Sequence, residues 1–198
     1  MAENLILLLL AALPLMGSPG PATLSLAAVG SAFGVRAGLP FMAGIASGTL
    51  VVVCVVATGV TGIVLALPCA VPVLVTLAGA YILWLAWKIA TAPPAAERGA
   101  GERAPAMAGG LLLALANPKA YATFAAVFSG RVVVPGDPLV DAAVKIATLM
   151  VAIVILDVIW LALGSALARV MAEPRLGRAV NIGFAVLLVL SVAAAFVR

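Results

Sequence analysis

The 198-residue sequence contains no histidine and only two cysteines, Cys54 and Cys69. Imidazole and thiolate groups are the usual ligands of transition metals in proteins, and histidine is the most frequent general base near neutral pH. Their scarcity argues against a metalloenzyme or a hydrolase. We therefore predict no metal site, no cofactor and no enzymatic activity.

Charged residues are also scarce, since they make up 9% of the chain while hydrophobic residues make up 66%. In an average soluble domain about a quarter of the residues are charged. The net charge is +4, but the eleven Lys and Arg residues are scattered between apolar runs and form no long basic block. This composition predicts a protein of the lipid bilayer and argues against nucleic acid as a partner.

Six apolar runs, interrupted by glycine, proline and charged residues, are interpreted as transmembrane helices. They cover approximately Leu5–Ser31, Leu39–Leu67, Pro72–Trp87, Gly109–Gly130, Ala147–Ala168 and Val180–Val197. One hydrophilic linker, at residues 92–108, separates a three-helix repeat at residues 1–91 from a second at residues 109–198. The sequence thus predicts an all-α membrane protein with six transmembrane helices.

An odd number of helices in each repeat means that the second repeat enters the membrane from the opposite face, so the two repeats are inverted. Basic residues concentrate in the loops after the first, third and fifth spans, whereas the other face receives few. The basic residues in the loops after the first, third and fifth spans are Arg36, Lys88, Arg98, Arg103, Arg169, Arg175 and Arg178. By the positive-inside rule these loops are cytoplasmic, and both termini are therefore expected on the extracytoplasmic side.

Two of the six spans contain residues that interrupt a helix. The first span contains Pro14 and the run Gly17-Ser18-Pro19-Gly20-Pro21, and the fourth contains Asn117-Pro118-Lys119. Each proline removes a backbone donor and clashes with the preceding helical turn. A single proline often only bends a membrane helix, but unwound backbone at membrane depth is tolerated where it lines a cavity. Matched breaks in inverted repeats favour the substrate site of a transporter.

Asp157 is the only charged residue in the predicted fifth span. A carboxylate near the bilayer centre costs about 3 kcal/mol on the most lenient scale. Either the acid is protonated, or it faces a water-filled cavity, or it pairs with Lys119. Each of these suits a group that binds and releases a proton during transport, although a permanently neutral or paired Asp that holds helices together also fits.

These motifs together resemble the LysE/RhtB family of bacterial amino-acid exporters. The resemblance covers nearly the whole chain and is carried by the run from Ser18 to Thr23, by Gly34-Val35-Arg36-Ala37-Gly38 followed by Gly44 and Gly48, by the run from Leu115 to Ala120, and by Leu156-Asp157 ahead of Trp160. The chain departs from the family at one position. Members often have an acidic residue after the glycine pattern of the second span, whereas here Gly48 is followed by Thr49.

The resemblance implies an exporter of amino acids or related small metabolites in the bacterial cytoplasmic membrane, driven by the proton gradient. It leaves open whether the chain works alone or as a homodimer. We expect alternating access, with Asp157 exchanging the proton. Tyr121, one turn beyond Pro118, either lines the substrate site or packs with its hydroxyl on the backbone. The residues expected to bind substrate are Ser18, Pro19, Gly20, Pro21, Thr49, Asn117, Pro118, Lys119 and Tyr121.

Two other functions compete with this interpretation. A thiol-redox conduit is suggested by Cys69 between Pro68 and Pro72, but the second repeat offers no cysteine to pair with it. A cation exporter is disfavoured because histidine is absent and acidic ligands are few. Replacement of both cysteines by serine without loss of function would exclude the first alternative.

Overall fold

The computed structural model of the protein describes residues 2–59, 70–91, 104–130, 132–170 and 174–196. These residues form seven α-helices and no strand, so the expectation of an all-α chain is confirmed for this part of the sequence. Cys69 and residues 92–103 of the predicted linker lie outside the described residues. The helices are α1 (Ala2–Gly17), α2 (Pro21–Ala57), α3 (Ala70–Ala90), α4 (Met107–Leu115), α5 (Pro118–Gly130), α6 (Pro138–Val170) and α7 (Pro174–Phe196).

Two of the described helices are long and apolar enough to cross a bilayer, namely Pro21–Ala57 and Pro138–Ala168. Helices α4 and α5 make a third candidate if they form one bent span. Ala2–Gly17 and Gly79–Ala90 are apolar but shorter. The arrangement of six spans in inverted repeats therefore stays a prediction.

The structure contains both of the helix breaks that the prolines predict. Helix α1 ends at Gly17 and α2 begins at Pro21, and α4 ends at Leu115 before α5 begins at Pro118. The axes of α4 and α5 are bent by 58° relative to each other. Pro14 lies inside α1 and does not end it.

A kink at Gly34 replaces the loop that the sequence predicts between the first two spans. Two helical segments of α2 meet at Gly34, the one residue of Pro21–Ala57 with non-helical angles, φ 80° and ψ 166°. Glycine adopts this region without a steric penalty. The bend is sharp. A Cβ on Gly38 would lie 3.1 Å from Val29 Cγ1, whereas in a straight helix residues 29 and 38 would lie about 13 Å apart along the axis. The break at Gly34 falls between the two predicted spans, and the helical segments on either side extend beyond the approximate boundaries at Ser31 and Leu39.

Helix α6 begins more than two turns before the predicted boundary at Ala147. Asp137 Oδ1 caps the helix by accepting hydrogen bonds from the backbone N–H groups of Leu139 and Val140, both at 3.0 Å. Asp141 and Lys145 lie inside the helix and form an ion pair of 2.8 Å. Because the two charges pair with each other at helical spacing, they do not exclude this segment from the helix.

The buried apolar side chains of the described residues form two clusters. The first joins α2, α3, α4, α6 and α7 around Leu26, Phe41 and Leu113. The second joins α1, α2, α5 and α6 around Leu8 and Phe124. Helices α2 and α6 pass through both clusters, so they form the frame against which the shorter helices pack.

Glycines allow the closest helix contacts. A Cβ on Gly44 of α2 would collide with the carbonyl oxygen of Met107 in α4, and a Cβ on Gly110 of α4 would collide with that of Phe41. Such small-residue faces let two helix backbones touch within a membrane. Gly48 also faces α4, so Gly44 and Gly48 form one packing face on α2.

Candidate functional site

A cavity of about 70 Å³ lies between the two helix breaks. Its volume is enough for about five water molecules, since each needs roughly 10–15 Å³ of such space. Helices α1, α2, α5 and α6 all contribute to its walls, as does the end of the α4–α5 connection. The residues that line it are Leu15, Met16, Gly20, Ala22, Thr23, Ile45, Thr49, Asn117, Lys119, Ala120, Thr123, Ile153, Leu156 and Asp157.

The cavity occupies the level at which the two apolar clusters meet. Along one face of α2, Ile45 belongs to the first cluster and Val52 to the second, and Thr49 faces the cavity between them. Along α6, Ile153 belongs to the second cluster, and Asp157, one turn later on the same face, lines the cavity. At this level Thr49 of α2 and Asp157 of α6 bring polar groups to the boundary between the two clusters.

The first break is held by a local hydrogen-bond network at the start of α2. The Gly20 backbone N–H donates to Thr23 Oγ1 at 2.9 Å, and the Thr23 hydroxyl lies 3.2 Å from the Gly20 carbonyl oxygen, to which it donates. Ser18 Oγ donates to the carbonyl oxygen of Leu15 at the end of α1 at 2.9 Å. Side chains therefore replace some of the backbone hydrogen bonds that the prolines remove.

The second break is capped by Asn117. Its Oδ1 accepts a hydrogen bond from the Lys119 backbone N–H at 3.1 Å, and its carbonyl oxygen accepts one from the Ala120 N–H at 3.0 Å. Asparagine is among the most favourable residues for this position, and Pro118 follows at the first helical position, where its missing N–H costs nothing. The Asn-Pro sequence thus both ends α4 and starts α5.

Lys119 connects the two breaks. Its Nζ donates to the carbonyl oxygen of Ser18 at 2.6 Å and lies 3.5 Å from that of Pro19. These carbonyls follow the C-terminal end of α1, where a helix dipole favours a positive charge. The side chain also runs close to Gly20, since a Cβ there would lie 2.9 Å from Lys119 Cδ.

Asp157 has no cationic partner among the residues that the structure describes. The residue is only 5% exposed, and its Oδ2 is buried without a hydrogen-bond partner. The ion pair with Lys119, one of the three explanations for this acid, is not observed, because the Lys119 ammonium is bound to the first break instead. The cost of burying the Asp157 carboxyl group is therefore offset by protonation or by contact with a ligand in the cavity.

Four of the nine residues expected to bind substrate line the cavity, and so does Asp157, the residue expected to exchange the proton. The four are Gly20, Thr49, Asn117 and Lys119, and the five that do not line it are Ser18, Pro19, Pro21, Pro118 and Tyr121. Ser18 and Pro19 contribute their carbonyl oxygens to Lys119. The Tyr121 hydroxyl donates to the carbonyl oxygen of Leu115 at 3.0 Å, which ties it to the end of α4.

Sequence reasoning missed two polar cavity residues, Thr23 and Thr123. Threonine is common in membrane helices, where its hydroxyl usually bonds to the preceding turn, so its presence alone predicts nothing. The helical spacing of Thr123 relative to Lys119 could have identified it as a cavity residue. Thr123 lies one turn after Lys119, on the same face of α5.

A larger apolar groove of about 580 Å³ lies between α1 and α6. Its lining is apolar except for Thr148, and it includes exposed residues such as Val151 and Ile155. Large apolar side chains at the surface of a membrane protein are expected to face lipid. The groove offers almost no group to orient a polar ligand, so the smaller cavity is the better candidate site.

Comparison with known proteins identifies the family of this chain. The family model of the LysE type translocators matches residues 13–198. The chain belongs to the LysE type translocator family. The family and the long apolar helices together identify a multi-pass membrane protein.

Among curated relatives of this LysE type translocator are cysteine/O-acetylserine efflux proteins of Salmonella. Those of Salmonella paratyphi A and Salmonella typhi are each 37% identical over 81 residues, which is 41% of this chain and 42% of the relative. The protein of Salmonella typhimurium is 38% identical over 80 residues, covering 40% of this chain and 41% of the relative. The chain thus spans about two fifths of these relatives. No solved structure gives a significant match.

Proposed function

We propose that this protein is a secondary active exporter of amino acids or related small metabolites in the bacterial cytoplasmic membrane. The observation that carries the proposal is the cavity between the two helix breaks, which contains a buried carboxylate without a partner. Paired helix breaks around a polar cavity are typical of transporter substrate sites. A purely structural acid would be expected to have a hydrogen-bond partner at this depth.

The substrate class is supported by the size and chemistry of the cavity. A volume of about 70 Å³ suits an amino acid with a short side chain better than one with a long side chain. The relatives named for efflux of cysteine and O-acetylserine are consistent with such a substrate. We propose small polar amino acids as the first compounds to test.

The proposed architecture is a pair of inverted three-helix repeats, at residues 1–91 and 109–198, joined by the linker at residues 92–108. It is supported by the opposite directions in which α2 and α6 cross the two clusters. Helix α2 passes from the first cluster through Thr49 to the second, whereas α6 passes from the second through Asp157 to the first, which contains Leu161. Both repeats would then contribute equivalent helices to the cavity. A homodimer is compatible with this arrangement, and chemical cross-linking in membranes tests it.

The proposed mechanism is alternating access coupled to protons. The link from Lys119 to the Ser18 carbonyl joins the first and second repeats at the cavity. Rocking of the repeats would break and remake this link, while Asp157 exchanges a proton with the outside as the substrate leaves. A carboxylate is suited to this role because it changes charge when it binds one proton.

Metabolite profiling tests the proposed activity. The culture medium of cells that express the protein should accumulate one or a few small amino acids relative to cells without it. Uptake of each accumulated compound into everted vesicles should then depend on an imposed proton gradient. A medium that shows no difference in amino acids or related metabolites would contradict the proposal.

Asp157→Asn tests the coupling. Asparagine has nearly the same shape but cannot take up the proton, so proton-dependent uptake into everted vesicles should be lost. Asp137→Asn is a matched control, because Asp137 is exposed and asparagine caps helices as well as aspartate does. Unchanged proton-dependent uptake in Asp157→Asn would remove the coupling role from this residue.

A further inference from the structure

The N-terminal ends of two helices face the cavity. Helix α2 begins at Pro21, and Ala22 and Thr23 of its first turn line the cavity. The backbone N–H group of Ala22 has no acceptor within the helix and makes no other backbone hydrogen bond in the part of the chain that the structure describes. Helix α5 begins at Pro118, and Lys119 of its first turn adds a positive charge. This wall of the cavity therefore favours an anionic group.

Helix α6 provides a wall of opposite charge. Asp157 is 95% buried, and its Oδ2 has no hydrogen-bond partner. Thr49 and Thr123 also line the cavity, and no hydrogen bond of either hydroxyl is found among the described residues. A carboxylate with nearby hydroxyls favours a ligand that carries an ammonium group.

Among the residues that the structure describes, no other charged side chain competes for Asp157 within the cavity. Helices α1 and α2, which pack against α6, carry only Glu3 and Arg36 as charged residues, and neither lines the cavity. Lys119 of α5 does line it, but its ammonium is bound by the carbonyl oxygens of the first break. The partner that balances the charge of the Asp157 carboxylate is therefore a ligand or a proton.

From these observations, and resting on the proposed function, we infer that the cavity binds its substrate as a zwitterion in one orientation. The substrate carboxylate lies at the first turn of α2 beside Lys119, and its ammonium group lies at Asp157. Substrate ammonium and a proton then compete for the same carboxylate. Because Asp157 cannot hold both at once, release of the substrate requires arrival of the proton, which is the exchange that an antiporter needs.

Three small probes separate the two ends of the site. L-Cysteine carries both charged groups, cysteamine lacks the carboxylate, and 3-mercaptopropionate lacks the ammonium group. Binding of each to the purified full-length protein is measured by calorimetry in detergent with a reductant, at neutral and mildly acidic pH. Loss of one charged contact should weaken binding by roughly tenfold or more relative to L-cysteine.

The inference predicts opposite responses of the probes. Acidification should weaken L-cysteine and cysteamine binding by up to about tenfold per pH unit, because the proton occupies Asp157, and should leave 3-mercaptopropionate unchanged. Asp157→Asn should abolish cysteamine binding and preserve 3-mercaptopropionate binding, which also shows that the variant is folded. Lys119→Gln should weaken 3-mercaptopropionate selectively, while Lys119→Arg restores it in part. Asp137→Asn is the matched control and should behave as the wild type.

The inference is overturned if Asp157→Asn weakens cysteamine and 3-mercaptopropionate equally, if acidification weakens all probes equally, or if none of the three binds. Uptake of L-cysteine and other small amino acids into everted vesicles separates this failure from that of the proposed function. Transport without discrimination between the probes would leave the exporter function standing and remove the orientation. Absence of any amino-acid transport by the wild type would remove the proposed function itself.

Discussion

Single polar residues distinguish the cavity from the apolar interior around it. Thr49 replaces the acidic residue that the family resemblance leads one to expect, and it occupies on α2 the position that Asp157 occupies on α6. A hydroxyl is neutral at every physiological pH, so Thr49 can orient a ligand but cannot carry a proton. In the proposed mechanism, proton exchange therefore falls to Asp157 of α6 alone.

Thr49→Val should weaken substrate binding without unfolding the protein. Valine keeps the branched shape but removes the hydroxyl, which contributes about 1 kcal/mol as one neutral hydrogen bond and lowers affinity by roughly fivefold. The measurement is the concentration dependence of uptake into everted vesicles. Thr148→Val is the matched control, because Thr148 lines only the apolar groove and should leave uptake unchanged. Equal effects of the two substitutions would contradict a role for Thr49 in the cavity.

Asp141→Asn should destabilise the protein by about 3 kcal/mol, because it leaves the buried Lys145 ammonium without its partner. Asp141 Oδ1 also accepts hydrogen bonds from the backbone N–H groups of Val133 and Val134, at 2.6 and 2.8 Å. The carboxylate thus holds the α5–α6 connection against the first turns of α6. Thermal unfolding in detergent measures the loss, and Asp137→Asn, at an exposed position, should have little effect.

The sequence predicts which residues are exceptional better than it predicts their partners. Asp157, Asn117 and the prolines are conspicuous in apolar surroundings, and the structure brings Asp157 and Asn117 to one cavity. The pairing of Lys119 could not be predicted, since its acceptors are backbone carbonyls that become available only when the helix breaks. Sequence patterns identify charged side chains but do not reveal unsatisfied backbone groups.

At the scale of helices, reciprocal glycine pairs set the distance between the two halves of the chain. Gly30 and Gly164 form one such pair, because a Cβ on either would collide with a backbone carbonyl oxygen of the opposite helix, that of Leu161 or of Ala27. Gly44 and Gly110 form the other. Each pair joins α2 to a helix of the second half, so the two halves are in contact on both sides of Gly34.

Gly164→Ala should lower the thermal stability of the protein. The added methyl group would meet the Ala27 carbonyl oxygen, and separation of two packed backbones costs about 1–3 kcal/mol. Gly183→Ala in α7 is the matched control, since a Cβ there meets nothing within 4 Å and the substitution should raise helix stability slightly. The unfolding midpoints of the two variants in detergent are compared with the wild type. A Gly164→Ala variant as stable as Gly183→Ala would contradict the close contact.

Helix ends were predicted well at prolines and poorly elsewhere. Proline excludes the helical hydrogen bond regardless of surroundings, so the breaks before Pro21 and Pro118 follow from local chemistry. The start of α6 depends on Asp141 and Lys145 neutralising each other, and the position of the kink in α2 depends on one glycine at φ 80°. Both features depend on packing and on ion pairing within the folded protein, which composition alone does not reveal.

At the scale of the whole molecule, two contacts show which helix ends lie on the same face. Asn4 Nδ2, near the start of α1, donates to the carbonyl oxygen of Val132 in the α5–α6 connection at 3.2 Å. Lys88 Nζ, near the end of α3, lies 5.6 Å from the centroid of the Phe33 ring, beside the Gly34 kink. The N-terminus thus shares a face with the α5–α6 connection, and the Gly34 kink shares one with the end of α3. The predicted topology assigns the first pair to the outside and the second to the cytoplasm.

Labelling of single cysteines should place these two faces on opposite sides of the membrane. In a Cys54→Ser, Cys69→Ser background, we expect an impermeant thiol reagent added to intact spheroplasts to modify Glu3→Cys and Val132→Cys. Arg36→Cys and Thr91→Cys should react only in everted vesicles, because the positive-inside rule retains the basic loops in the cytoplasm. All four positions are exposed, so a lack of reaction cannot be attributed to burial.

Reversal of both pairs would invert the orientation and preserve the fold, whereas a split within either pair would contradict the shared faces. Transport by the cysteine-free background itself would also exclude the thiol-redox alternative.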